Sequence, residues 1–314
     1  MSDDEKKSDE PDRPAERRGP TNLRRKLGRP RLLIVGCGDV GARIVARLAR
    51  RFLVVALVRS DARMAPLRAA GAIPLLADLD ARRTLKRIAG LGARVIHLAP
   101  PAESGHKDRR TRNLVAALGG RTQRAVYIST SGVYGDHGGR RIDETASLAP
   151  GSERAWRRID GERIMRGACF ATVLRVPGIY AHDRLPLDRL RQRLPALIPA
   201  DDVHTNHVHA DDLARIAIAA LLRGAPTRVI NASDDSELKM GDYFDLVADR
   251  HGLPRPPRLP RAELAGQVSP MMLSFMRDSR RLSNRRLKRE LRVRLLWPTV
   301  EAALAKSKET LAAD

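Results

Sequence analysis

The chain has 314 residues, enough for one large α/β domain or a core with a smaller lobe, and enough to bury a substantial core. It carries 59 Lys and Arg against 37 Asp and Glu, a formal net charge of +22, but aromatic residues are only 3% and offer no stacking platform for single strands. A solvated basic surface is therefore favoured over a nucleic-acid site. Two cysteines, Cys37 and Cys169, exclude a disulfide framework and a Cys-based zinc site; no apolar run reaches membrane-spanning length and no signal-peptide pattern is visible, so a cytoplasmic protein without a membrane partner is expected.

Residues 1–30 are polar, charged and Pro-punctuated, acidic first and then basic, and are expected to form a disordered tail. The run 31–35 is apolar, as for a buried parallel strand, and leads into Gly36-Cys37-Gly38-Asp39-Val40-Gly41; residues 42–50 then show apolar positions at helical spacing. Gly-x-Gly-x-x-Gly between a strand and a helix has a physical meaning. Gly36 allows a tight turn, Gly38 lets the backbone approach a pyrophosphate, Gly41 permits close packing, and free N–H groups of the helix face the phosphates. Glycines also mark ordinary turns, but this context favours a dinucleotide site.

Strand-like segments recur at 52–58, ending at Arg59-Ser60; at 72–77, ending at Asp78-Leu79; and at 93–98, followed by Ala99-Pro100-Pro101. Two more lie at 124–128, running into Ser129-Thr130-Ser131-Gly132-Val133-Tyr134-Gly135, and at 170–176. Helical patterns at 62–70, 81–89, 107–118 and 152–167 fall between them. This alternation predicts an α/β fold, a doubly wound parallel sheet with ligands at the carboxyl ends of its strands. After Pro177 the rhythm loosens; a helix follows 207–213, then a short strand at 228–231, a helix near 241–251, a Pro-rich link and a basic helical stretch. We divide the chain into a core over 31–180 and a mixed region over 181–314 that completes the core and forms a small lobe.

In dinucleotide folds a carboxylate after the second strand holds the ribose 2′-OH. Here that place holds Arg59 and Ser60, with Arg63 a turn later. A guanidinium and a hydroxyl suit a 2′-phosphate, so NADP is favoured, with NAD as the alternative; a surface arginine is the plainer reading. His204, His207 and His209 lie beside Asp211 and Asp212 and invite a metal reading, but packing is preferred and no metal is expected. The run 280–291 could be a nucleic-acid-binding helix, yet Leu282, Leu287 and Leu291 give it an apolar stripe that favours a structural role.

The glycine loop, Asp78-Leu79, the 129–135 segment, Asp143-Glu144, the segment 174–180 ending in Gly178-Ile179-Tyr180, and His209-Ala210-Asp211-Asp212-Leu213 occur in one order. That order resembles the extended short-chain dehydrogenase/reductases, the NAD(P)-dependent epimerase/dehydratase-like family, over about residues 31–300. The resemblance implies a Rossmann domain binding NAD or NADP and a small C-terminal substrate lobe. It places Asp78 and Leu79 at the adenine, Ala99, Pro100 and Pro177 along the nicotinamide side, and Thr130 at the family's substrate-binding Ser/Thr. It also implies that the 209–212 segment packs the lobe and caps a helix through Asp.

The chain departs from the family at the reacting centre. Redox members use Tyr-x-x-x-Lys on the helix after the fifth strand, but placing Glu162 at the family's following Glu puts Arg154 and Arg158 at those two positions. Arg158 could hold a ribose hydroxyl; Arg154 cannot exchange a proton near neutral pH. None of Tyr127, Tyr134, Tyr180 and Tyr243 has a lysine four residues later. Ser131-Gly132 replaces the Asp-Glu pair of sugar dehydratases, which disfavours that activity. Thr130 and Tyr134 are the catalytic candidates, with His137 and Tyr180 as substitute donors; the plainer reading of the tyrosines is loop shaping. The expectation is an NAD(P)-dependent oxidoreductase or epimerase-like protein acting on a small molecule, with a homodimer as the assembly considered. The alternative is a nucleotide-binding sensor or interaction protein without turnover.

Overall fold

The computed structural model describes residues 28–264 and 266–311, so most of the tail expected over 1–30 lies outside the described residues. Seven parallel strands form the central sheet: β1 (Arg31–Val35), β2 (Leu53–Val58), β3 (Ile73–Leu76), β4 (Arg94–His97), β5 (Arg124–Thr130), β6 (Thr172–Val176) and β7 (Val229–Asn231). Their order is β7-β6-β5-β4-β1-β2-β3, all neighbours parallel, with Leu33 opposite both Val55 and Val95. The chain reverses its direction of travel across the sheet between β1 and β4, and a crevice opens there at the carboxyl ends.

Both faces of the sheet are covered, which is why the strands read as continuous apolar runs. Leu32, Ile34, Val54 and Ala56 face one layer with Ile44 and Leu48 of α1 (Asp39–Leu48) and Leu213 and Ile216 of α6 (Ala210–Arg223). Leu33, Val35, Val55 and Leu57 face the other, with Leu114 and Leu118 of α3 (Arg109–Leu118) and Met165 of α4 (Glu153–Cys169). The expected helix at 62–70 is a 3₁₀ turn followed by α2 (Met64–Ala69), and that at 81–89 is 3₁₀ throughout. β3 is an edge strand, and its Pro74 is tolerated because only one side needs a ladder.

A separate apolar cluster joins Leu190 of α5 (Leu187–Arg191), Tyr243, Phe244 and Val247 of α7 (Met240–Arg250) and Val300 and Leu304 of α10 (Val300–Leu311). Two short helices, α8 (Pro270–Phe275) and α9 (Arg285–Glu290), and three two-stranded sheets accompany them. Leu282, Leu287 and Leu291 of the basic run are all buried, the last two in the main core. The imidazole of His209, not an aspartate, caps α6: Nδ1 accepts from the Asp211 amide at 3.2 Å. Asp212 instead accepts from the amides of Leu296 and Trp297 at 3.0 and 2.8 Å, tying the C-terminal segment to α6.

The inward face of α4 is polar. Glu162 and Arg175 of β6 form a bidentate pair at 3.1 and 2.8 Å with side chains only 4% and 5% exposed, and the Ser129 hydroxyl donates to Glu162 Oε1 at 2.6 Å. The Arg175 guanidinium lies 4.8 Å from the centre of the Tyr134 ring. Removing one member of such a pair strands a buried charge, whereas replacing both with apolar groups does not. We expect Glu162→Gln to lower stability by about 3–5 kcal/mol, and Glu162→Leu with Arg175→Met to recover most of that loss, as measured by urea denaturation.

Candidate functional site

Gly36 has φ +81°, and a Cβ there would lie 2.5 Å from the Ala99 amide nitrogen, so only glycine lets the loop meet the end of β4. At Gly38 a Cβ would meet nothing within 4 Å, leaving the backbone open on that side. At Gly41 it would lie 2.9 Å from Cys37 Sγ, which explains the third glycine through the loop's own packing. No side chain caps α1, whose first N–H groups remain available. Val40 and Gly41 are buried in α1; the Asp39 carboxylate pairs with Arg43 and Arg184, both at 3.0 Å.

Over this loop and the ends of β2, β3 and β4 lies a cavity of about 660 Å³, lined by Gly36 and Gly38 with Arg59, Ser60, Asp78, Leu79, Ala99 and Pro100. Arg63, Arg110 and Arg157 also line it. The guanidinium groups of Arg59 and Arg63 have no hydrogen-bond or ion-pair partner among the described residues. Arg110 is engaged: it grips Asp80 through Nε at 3.0 Å and Nη2 at 2.6 Å, pulling that carboxyl below its usual range, and donates to the Pro101 carbonyl at 3.0 Å.

A second cavity of about 420 Å³ adjoins it, reached by Thr130 at the end of β5 and by Pro177, which lines this cavity and not the first. Thr130 Oγ1 accepts from the Gly132 amide at 3.2 Å. From the C-terminal region come His204, Asn206, His207, Tyr243, Arg277 and Arg280. Arg154 lines both cavities. It is exposed into their junction, and its guanidinium has no hydrogen-bond or ion-pair partner among the described residues. Enclosure by the cavity walls, then the Arg158 and Arg157 cations, hold its pKa below the ordinary arginine value. α8 has no buried residue; its Met271 lines the first cavity, while Met272 and Phe275 line the second.

Two expectations are corrected here. Tyr134 is fully buried, lines neither cavity, and its hydroxyl donates to Asn231 Oδ1 at 2.7 Å, so it cannot reach a substrate. Arg158 is also buried and lines neither; its Nη1 donates to the carbonyls of Ile128 at 2.8 Å and Ala99 at 3.3 Å, clamping the ends of β5 and β4 from behind. His137 and Tyr180 are buried outside both cavities as well. Sequence reading missed Arg157 and the C-terminal lining residues. Arg157 lies on the same helix as Arg154, but nothing local marks Tyr243 or His207 as neighbours of Thr130.

Among the described residues no group of three or more His, Cys, Asp or Glu side chains is placed to hold a metal ion. His207 stacks on Tyr243 with ring centres 4.4 Å apart, and His209 lies 4.9 Å from Trp297. Burial pushes His97, His207 and His209 down to about 4, so the folded chain keeps all three neutral. Free histidine titrates near 6.5, so between about pH 6.5 and 4 the unfolded chain takes up three protons that the fold refuses, and stability falls as pH falls. Asp234, pushed up to about 7 by burial, takes a proton earlier in the folded state and offsets one of them. We expect the urea midpoint to be lower at pH 5 than at pH 7, with a limiting slope of about 1.4 kcal/mol per pH unit for each uncompensated histidine.

No protein-family profile matches the chain. Among solved structures, a conserved protein of unknown function from Silicibacter pomeroyi superposes with a TM-score of 0.75 at 28% identity, over 89% of this chain and 98% of that one. A protein from Methylobacillus flagellatus, provisionally assigned as an NAD-dependent epimerase/dehydratase, gives a TM-score of 0.70 at 26% identity, over 90% and 99%. A ketoreductase of Stigmatella aurantiaca acting on a farnesylated dihydroquinoline oxide is 27% identical over 243 residues, 69% of this chain and 72% of the relative. With the sheet order and the glycine loop, these relatives agree with the resemblance to the extended short-chain dehydrogenase/reductases of the NAD(P)-dependent epimerase/dehydratase-like kind. The chain differs from that pattern in having no tyrosine followed four residues later by a lysine.

Proposed function

We propose that the protein is a carbonyl oxidoreductase that prefers NADP(H) and acts on a small molecule held in the second cavity. The observation that carries this reading is the meeting of the two cavities at Arg154, with Thr130 on the wall of the second. The first cavity suits a dinucleotide: Gly36 and Gly38 clear its floor, and no carboxylate stands at Arg59-Ser60 to oppose a 2′-phosphate. Arg59 and Arg63 are free to meet that phosphate, with Ser60 as a further donor. When bound, a nicotinamide dinucleotide supplies or accepts a hydride. The Methylobacillus and Stigmatella relatives, described as an NAD-dependent epimerase/dehydratase and a ketoreductase, support the same chemistry.

The chain's own residues bind and orient the substrate. Thr130 accepts a backbone hydrogen bond, which leaves its hydroxyl hydrogen for a substrate oxygen. Tyr243 is the tyrosine that lines the second cavity, and burial raises its pKa, so its hydroxyl stays protonated and able to donate. Arg154 sets a fixed positive charge at the junction without titrating. A second reading, nucleotide sensing without turnover, is favoured by one feature: the two positions of the usual acid/base pair hold arginines.

Titration of the cofactor-free protein with NADPH and NADH, followed by nicotinamide fluorescence, tests the cofactor. NADPH is expected to bind the more tightly, and Arg59→Asp with Arg63→Ala to weaken it at least about tenfold while sparing NADH, because charge-assisted bonds to phosphate are lost. Failure of both nucleotides to bind at micromolar concentration overturns the proposal. Hydride transfer to any ketone separates the enzyme from the sensor.

A further inference from the structure

We propose that the second cavity takes a small organic acid with an apolar or aromatic body, its carboxylate seated on Arg154 and a carbonyl or hydroxyl beside that carboxylate. This rests on the functional reading above for the carbonyl but not for the acid. Four arginines line the second cavity, Arg154, Arg184, Arg277 and Arg280, against the single carboxylate of Asp278. Three of the four are already engaged. Arg184 pairs with Asp39 at 3.0 Å, Arg277 donates to the Gly151 carbonyl at 2.9 Å, and Arg280 donates to the Gly135 carbonyl at 2.8 Å. Asp278 lies 3.4 Å from Arg277 and 3.7 Å from Arg280.

Arg154 alone of the four lacks a partner among the described residues. Its guanidinium is open to the junction of the two cavities with no ion-pair partner among the described residues, and its planar fork matches a carboxylate bidentately. Another part of the wall is of the opposite character: Ile179, Met240, Tyr243, Phe244, Met272 and Phe275 offer apolar and aromatic surface, beside the polar His204, Asn206 and His207. A ligand must satisfy both halves, so a purely polar acid leaves the apolar half wet and a neutral hydrocarbon leaves Arg154 bare. Because Arg154 also borders the first cavity, an acid whose oxygen-bearing carbon adjoins the carboxylate puts that carbon at the junction.

Calorimetric titration of the cofactor-free full chain with phenylpyruvate tests this, and it remains readable if NADPH does not bind. Saturable binding is expected, at least about tenfold tighter than that of its neutral counterpart phenylacetone, and weakened at least about tenfold in Arg154→Gln with partial recovery in Arg154→Lys. Circular dichroism of both variants establishes that they fold, and the wild-type comparison of the two ligands needs no variant. Equal binding of phenylpyruvate and phenylacetone, absence of saturable phenylpyruvate binding, or an unaltered affinity in folded Arg154→Gln overturns the proposal. If Arg154→Gln weakens NADPH and leaves phenylpyruvate untouched, the guanidinium serves the nucleotide and the acid site is refuted.

Discussion

The buried ion pair between Glu162 and Arg175 fixes where everything at the site can be. It locks α4 to β6, while Ser129 extends the lock to β5, the strand that delivers Thr130. Gly161 lets the helix come close, since a Cβ there would run into the Tyr127 hydroxyl and Asp108. With that register set, the outer turns of α4 can only place Arg154 at the cavity junction, Arg157 in the first cavity and Arg158 on the strand ends behind it.

The excess of positive charge becomes intelligible beside this seam. Many guanidinium groups have no carboxylate and instead serve as clamps on backbone carbonyls. Arg158 holds Ile128, Arg166 holds Thr227, Arg261 holds Met276 and Arg124 holds Gly224. Five N–H donors on a rigid plane satisfy carbonyls that loops leave unpaired, so arginine does in this chain what ladder bonds do elsewhere. Against that background the unpartnered guanidinium groups at the cavities stand out by contrast.

What the sequence made legible follows from the range of the forces involved. The strand runs and the glycine loop are local, and the doubly wound parallel sheet could be read from them. Tyr134 and Arg158 were misread because a residue type on a suggestive loop or helix does not say which way the side chain faces, and both face inward. His209 as the cap of α6 was missed because imidazole seldom plays that part. The far wall of the second cavity was illegible. Tyr243 and Arg280 reach Thr130 only through the packing of a region with its own apolar core, and no short-range pattern encodes that.

One short helix spans two rooms. α8 buries none of its own residues, yet it contributes Met271 to the first cavity and Met272 and Phe275 to the second. A ligand in either cavity would meet side chains of this same helix. Six residues of backbone thus carry apolar side chains into both cavities at once.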